Sequence, residues 1–184
     1  MKTFSKDEIN KVIDFLNEEK VLALKTDTVY ALVCNAFSKK AIENIYKIKG
    51  RDKNKPLILF IKNENELKKY VSSIPEISKE YIKKYWPGAL TIIFKSNDKT
   101  LGVRIPKEEK LNELLNKLQY PLFSTSCNIS GMSPCMNAND VKKNLYGKIE
   151  ALWDLGDCIH TKASTIIDVS NNEVKVLRIG DIKI

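Results

Sequence analysis

Residues 47–61 read KIKGRDKNKPLILFI, a row of alternating cations that leads directly into an apolar segment. The apolar part has the length and composition of a buried strand. Gly50 permits a close approach of the backbone, and Pro56 ends the charged part. We therefore predict a helix that ends near residue 48, a cationic segment, and then a strand over 56–61. If the segment is extended, its period of two places five cations on one side: Lys47, Lys49, Arg51, Lys53 and Lys55.

The cationic row suits a polyphosphate ligand. An arginine can grip phosphate oxygens with a fork of N–H groups, and a lysine acts as a mobile point charge. Charge runs are also common in ordinary solvated loops. This stretch by itself leaves both interpretations open.

Strand and helix patterns alternate on both sides of this stretch. A capping box of Ser5 and Glu8 precedes a helix, and Ser38, Asn63 and Pro75 are expected to begin three more. The predicted helices that have defined ranges are 39–48, 63–71 and 107–118. The predicted strands are 20–24, 56–61, 90–95, 101–105 and 121–125. Two apolar runs around Asn171 and Asn172 predict a hairpin with a tight turn.

These elements predict one α/β domain over residues 1–184, with a twisted mixed sheet and helices on its faces. Ligand sites in such sheets usually lie in crevices at the ends of strands. A hydrophobic fraction of 43% is enough for one large core and excludes a disordered chain.

The chain carries 31 Lys and Arg against 23 Asp and Glu, a net charge of +8. Such a balance favours anionic partners, either nucleic acid or phosphorylated small molecules. No apolar run approaches the roughly 20 residues that span a bilayer, and the N-terminal stretch has acids where a signal peptide needs an apolar run. We expect a soluble, cytoplasmic protein without a membrane partner. The four cysteines form no CxxC pair and His160 is the only histidine, so no metal site is predicted.

Two further stretches carry polar side chains next to predicted strands. PLFSTSCNISG, at 121–131, places hydroxyls and an amide after an apolar strand, where they suit a carboxylate, ribose or phosphate. A nucleophilic serine is disfavoured, because the stretch has no G-x-S-x-G elbow. KTDTVYALVC, at 25–34, brackets Asp27 with two threonines. A plain turn is the alternative in both cases.

Arg104 lies inside the apolar strand LGVRI. A buried arginine is costly unless it is paired, so we expect a buried carboxylate or a ligand anion beside it.

Taken together, these stretches resemble the YrdC-type threonylcarbamoyl-AMP synthase family. TDTVYAL resembles the family's TDTVYGL, KGRDKNKPL matches K-x-R followed by KPL, and YWPGALTIIF resembles WPGPLT plus a strand. GVRIP is unchanged, STSCNISG carries S-x-N, and ASTIIDV and LRIGDI resemble the closing motifs. The motifs stand in the family's order from about residue 20 to the end.

The resemblance implies that L-threonine, bicarbonate and ATP react to give L-threonylcarbamoyladenylate and pyrophosphate, with Mg²⁺ on the triphosphate. A downstream threonylcarbamoyl-transferase complex would modify the adenosine beside the tRNA anticodon, and tRNA is a further candidate partner. The family fold also implies a large basic concave cleft.

The resemblance also assigns residues. Lys49 and Arg51, the K-x-R pair, are implied to be catalytic. The implied ATP-binding residues are Arg51, Lys55, Thr100, Ser126, Asn128 and Arg178. The implied threonine-binding residues are Thr28, Arg104, Ser124 and Ser164. Lys47 and Lys53 match nothing functional and are expected to face solvent.

Several positions depart from the family pattern. Ala31 and Val33 replace glycines and are expected to narrow the cleft, and Cys127 replaces the alanine of SAN. Lys25 stands where the family has Pro or Thr.

Two alternatives remain. The first is an RNA-binding module that uses the basic surface without catalysis, although no RNA-recognition, KH or zinc-knuckle motif is present. The second is a carbamoyl-transfer domain like those of hydrogenase maturation factors, which occur in long chains with zinc-finger-like cysteines.

Overall fold

The computed structural model describes residues 1–160 and 162–184. Within them, ten strands form one mixed sheet in the order β1-β8-β2-β3-β7-β4-β6-β5-β9-β10. The strands are β1 (Lys2–Phe4), β2 (Leu22–Leu24), β3 (Ala31–Asn35), β4 (Ile58–Phe60), β5 (Leu90–Ser96), β6 (Lys99–Arg104), β7 (Leu122–Ser126), β8 (Ala151–Trp153), β9 (Thr165–Asp168) and β10 (Lys175–Arg178). The predicted α/β class with a mixed sheet is confirmed.

Five α-helices pack on this sheet in the described part of the chain: α1 (Ile9–Asn17), α2 (Lys39–Lys49), α3 (Glu76–Tyr85), α4 (Glu109–Lys117) and α5 (Ala138–Leu145). None of the helices in that part is long and apolar enough to cross a membrane.

The core divides between the two faces because side chains alternate along each strand. On β2, Leu22 and Leu24 pack with α1 and α4, whereas Ala23 packs with α2 and α5. A third cluster joins α3 to β5, β6 and β9. Alternation thus gives both faces of the sheet an apolar layer against which helices pack.

Local signals explain most element boundaries. Ser38 caps α2, since its Oγ accepts a hydrogen bond from the Ala41 N–H at 3.1 Å. Gly50 ends the same helix in the left-handed conformation, with a φ of 57°. Of the Ser5 and Glu8 capping box, one half forms: the Ser5 N–H donates to the Glu8 carboxylate at 2.8 Å.

The extended cationic row is not observed. Lys47 and Lys49 belong to the last turn of α2, and residues 51–57 form a loop. The helical period separates the two lysines: Lys47 is exposed and Lys49 is buried. The five cations therefore do not share one side.

Other sequence predictions also need correction. Residues 64–69 form a 3₁₀ helix rather than an α-helix. The last two strands pair as an antiparallel hairpin, but pairing starts between Asp168 and Lys175, so residues 169–174 form a longer connection than a tight turn. The strand predicted over 56–61 is limited to Ile58–Phe60. The sequence analysis did not identify β1, β8 or α5.

The Ser38 cap gives a stability prediction. Ser38→Ala should lower the free energy of unfolding by about 1 kcal/mol, because the first turn of α2 loses its capping acceptor. Urea denaturation followed by circular dichroism measures the change. Ser73→Ala, at an exposed position, is the matched control and should be near neutral. Equal effects of the two variants would contradict the capping role.

Candidate active site

One cavity, with a volume of about 720 Å³, lies over a face of the sheet. Its floor is formed by five strands that are neighbours in the sheet: β7, β4, β6, β5 and β9. On four of these strands, β4, β6, β5 and β9, alternate residues face the cavity, as the period of two requires, whereas three consecutive residues of β7 line it. On β6, for example, Thr100, Gly102 and Arg104 line it. The site therefore lies across the middle of the sheet rather than only at strand ends.

The structure brings most of the predicted site residues together in this cavity. Nine of them line it: Thr28, Arg51, Lys55, Thr100, Arg104, Ser124, Ser126, Ser164 and Arg178. They come from six separate segments of the chain, so only folding makes them one site. Lys49 and Asn128 lie outside the lining.

Arg104 is the most constrained side chain of the site, at 3% exposure. Its Nη2 is 2.6 Å from the Asp27 Oδ1, its Nη1 donates to the Thr28 Oγ1 at 3.1 Å, and its Nε donates to the Gly88 carbonyl at 2.9 Å. The expected buried carboxylate is thus Asp27. Because a guanidinium has five N–H groups, two remain for a ligand.

Three other cations line the cavity with Arg104. Arg51 is oriented by the carbonyls of Lys55 and Pro56, and Arg178 by the carbonyl of Ser164. Partial burial, together with the charges of Arg104 and Arg51, lowers the pKa of Arg178. Among the described residues that line the cavity there is no Asp or Glu. Clustered cations without a carboxylate favour an anionic ligand.

Hydroxyl groups complete the cavity wall. The Ser124 Oγ donates to the Ile58 carbonyl at 3.1 Å, and the Ser126 Oγ to the Asn128 Oδ1 at 2.7 Å. The Ser164 Oγ lies 2.8 Å from the Oγ1 of Thr91. Sequence reasoning did not assign Thr91, although a threonine at a fully buried strand position was the signal that could have found it.

Lys49 does not stand beside Arg51 in the cavity, which corrects the implied pairing. It is 1% exposed, and its Nζ donates to the carbonyls of Ser126 and Asn128 at 2.5 and 2.8 Å and to the Asn128 Oδ1 at 2.7 Å. Three acceptors use all three N–H groups of the ammonium. Burial, and secondarily the nearby Arg51 charge, lowers the pKa of Lys49 to about 8. In this structure Lys49 positions the S-x-N segment, Ser126–Asn128, from outside the cavity lining.

The departures from the family pattern have different outcomes. Ala31 lines the cavity, whereas Val33 is fully buried in the core with Leu22 and Leu24. Only Ala31 can therefore narrow the site. Lys25 points away from it, with its Nζ 3.6 Å from a carboxylate oxygen of Glu108.

Comparison with known proteins identifies the family. The Sua5/YciO/YrdC family model, whose description reads "Telomere recombination", matches residues 14–180. The chain belongs to this family. Its predicted family membership is confirmed.

Members of the Sua5/YciO/YrdC family from three organisms resemble the chain over most of its length. A Methanocaldococcus jannaschii protein, provisionally named a threonylcarbamoyl-AMP synthase, is 34% identical over 98% of this chain and 91% of its own length. Threonylcarbamoyl-AMP synthases of Pyrococcus abyssi and Bacillus subtilis are 33% and 30% identical. The chain spans about half the length of these two, 52% and 54%.

Solved structures agree. The P. abyssi family member in complex with L-threonine has a TM-score of 0.91 and 30% identity, covering 97% of this chain and 57% of that one. A full-length HypF structure shares the fold alone, with 21% identity over 29% of its chain. The comparisons name synthases and give no support to the RNA-binding alternative.

The role of Lys49 can be tested through stability. Lys49→Met should lower the free energy of unfolding by about 1–3 kcal/mol, since buried oxygens of the S-x-N segment lose their donor. Lys47 lies on the exposed side of the same helix. Lys47→Met should therefore change the free energy of unfolding by no more than about 0.5 kcal/mol. Urea denaturation monitored by tryptophan fluorescence compares the two. If Lys49→Met is as stable as Lys47→Met, the positioning role is refuted.

Proposed function

We propose that this protein is a threonylcarbamoyl-AMP synthase, an enzyme of the nucleotidyltransferase class. It would convert L-threonine, bicarbonate and ATP into L-threonylcarbamoyladenylate and pyrophosphate. The observation that carries the proposal is the single cavity in which four cations meet a row of hydroxyl groups. The residues implied for threonine, and those implied for ATP except Asn128, all line it.

Arg51, Lys55 and Arg178 would hold the phosphates of ATP. Arg51 lies on the loop after α2, and Arg178 lies on β10 at the sheet edge, so the two reach the cavity from different segments. Carbonyl oxygens fix the guanidinium of each arginine before a ligand arrives. Charges that are fixed in advance stabilise a developing negative charge without a reorganisation cost.

Arg104 would bind the threonine carboxylate with its two remaining N–H groups, one on each terminal nitrogen. Asp27, Thr28 and Gly88 hold the guanidinium in place, so a carboxylate meets a fork of defined direction. The hydroxyls of Thr28, Ser124 and Ser164 lie in the same cavity and would contact the polar groups of threonine.

The chemistry requires no covalent enzyme intermediate. The threonine amine captures carbon dioxide derived from bicarbonate, which forms a carbamate and releases a proton. A carbamate oxygen then attacks the α-phosphorus of ATP, and the bond to the bridging oxygen breaks as pyrophosphate leaves. The protein residues would act by orienting two substrates and by neutralising phosphate charge. A nucleophile and base pair is therefore not needed.

The nucleotide substrate would be MgATP. The described part of the chain has no group of His, Cys, Asp or Glu side chains that could hold a metal, and the cavity lining offers hydroxyls but no carboxylate. Mg²⁺ that is carried by phosphate oxygens and water fits such a lining.

The product is a reactive acyl adenylate. We propose that a threonylcarbamoyl-transferase complex consumes it to modify tRNA beside the anticodon. Direct binding of tRNA by this chain, and a basic concave surface that extends beyond the cavity, stay predictions.

A pyrophosphate-release assay tests the activity. Purified protein with MgATP, L-threonine and bicarbonate should release pyrophosphate, and omission of any one of the three should stop the release. Mass spectrometry should detect threonylcarbamoyladenylate in the complete mixture. Release that is independent of threonine, or no release in the complete mixture, would overturn the proposal.

The phosphate role of Arg51 predicts a large kinetic effect. Arg51→Ala should lower pyrophosphate release by about 10²-fold or more, because a fixed charge on the phosphates is lost. Lys53→Ala removes an exposed charge from the same loop and lies outside the cavity lining, so it should retain nearly full activity. Full turnover by Arg51→Ala would rule out its assignment.

The carboxylate role of Arg104 predicts selectivity between substrates. Arg104→Lys keeps a partner for Asp27 but loses the fork, so the KM for threonine should rise at least about tenfold, while the KM for ATP changes little. Arg178→Lys should show the reverse pattern. Steady-state titrations of both substrates compare the two variants. Equal effects on the two KM values would contradict the assignment.

A further inference from the structure

Two buried cysteines lie within and next to the S-x-N segment, Ser126–Asn128. Cys127 stands between Ser126 and Asn128, and Cys135 ends the loop that follows; both have 0% exposure. The Cys135 N–H donates to the Cys127 carbonyl at 2.9 Å. Tyr30 joins both residues, since its N–H donates to the Cys135 carbonyl and its carbonyl accepts from the Cys127 N–H. The two backbones are thus held side by side.

The two thiols belong to the same buried cluster. The Asn144 Nδ2 donates to the Cys135 Sγ at 3.7 Å. The neighbouring Cys127 thiol lowers the pKa of Cys135, whereas burial raises the pKa of Cys127 well above its usual value. Cys135 is therefore the thiol that ionises first, and a thiolate is the reactive form of cysteine.

The backbone spacing suits a disulfide. A backbone hydrogen bond of 2.9 Å joins the two residues, so the covalent bonds on either side of it limit their Cα–Cα distance to at most about 7 Å. Disulfides join Cα atoms that are about 4.4–6.8 Å apart. A bond between Cys127 and Cys135 thus requires movement of the side chains and a small shift of the backbone.

That shift would reach the candidate active site. The Ser126 and Asn128 carbonyls on either side of Cys127 both accept hydrogen bonds from the Lys49 Nζ, and Ser126 lines the cavity. Drawing the two sulfurs together into a bond of about 2.05 Å pulls on the backbone between these two anchored groups. Ser126 cannot keep its position if Cys127 moves towards Cys135.

We propose that Cys127 and Cys135 form a redox-active dithiol, that a peroxide oxidises it to an intrachain disulfide, and that the disulfide lowers activity at the adjacent site. The regulatory half of this inference rests on the proposed function; the disulfide itself does not.

The chemistry balances with hydrogen peroxide as the oxidant. The Cys135 thiolate attacks one peroxide oxygen, the O–O bond breaks, and the departing hydroxide takes a proton to become water. The sulfur of Cys127 then attacks the resulting sulfenic acid, an S–S bond forms, the S–O bond breaks, and a second water leaves. Two thiols are oxidised and one peroxide is reduced. A dithiol reductant reverses the change.

Peptide mapping of the full chain tests the disulfide. Native protein treated with hydrogen peroxide, blocked with N-ethylmaleimide and digested without reductant should yield a peptide with Cys127 joined to Cys135, and dithiothreitol should abolish it. Cys135→Ala should not form it, whereas Cys158→Ala, which removes a half-buried thiol nearby, should form it normally. No joined peptide in the wild-type chain, or a bond of Cys127 to Cys158 instead, would overturn the proposal whether or not the variants fold.

Pyrophosphate release tests the regulatory half. Oxidised wild-type protein should lose at least about tenfold in rate and recover with dithiothreitol, and peroxide-treated Cys135→Ala should keep its rate. A cross-linked protein of unchanged rate would refute the regulation. A protein that forms the disulfide on oxidation but releases no pyrophosphate even when reduced would count against the proposed function. The proposed dithiol would not be affected by that result.

Discussion

The arrangement of the site depends on the hydrogen bonds of the buried Arg104 guanidinium. Three motifs that are far apart in sequence meet at it: Asp27 and Thr28 from the TDT stretch, Gly88 from the WPG stretch, and β6 itself. A buried charge without partners would cost several kcal/mol. Every one of these segments must therefore be in place for Arg104 to be tolerated, which ties the position of the cavity wall to the stability of the fold.

Lys49 plays a comparable part outside the cavity lining. Its ammonium connects the end of α2 to the end of β7 through three oxygens. Arg51 begins the loop just beyond it, so the same contact fixes where that loop leaves the helix. The K-x-R and S-x-N motifs are thus held together by Lys49. Of the two K-x-R cations, Lys49 faces the protein interior and Arg51 faces the cavity.

Much of this was accessible from the sequence. The apolar period around Leu22 and Leu24, the cap at Ser38 and the arginine within LGVRI each have a local physical cause, and each led to a correct expectation. The resemblance in motif order to a known family indicated nine of the residues that line the cavity. The inward turn of Lys49 was missed because an extended backbone was assumed where Gly50 ends a helix, and the helical period separates Lys47 from Lys49. The partner of Arg104 was expected as a type, but only the tertiary fold could show it to be Asp27.

The position of β10 at the sheet edge has a consequence of its own. All four of its residues are exposed as whole residues, although the guanidinium of Arg178 is partly buried where it lines the cavity. Edge segments with little buried apolar contact open locally at low free-energy cost. The rim of the binding site is therefore the part of the sheet that can loosen most cheaply. Fraying of this border strand would widen the cavity and leave the register of the central strands unchanged.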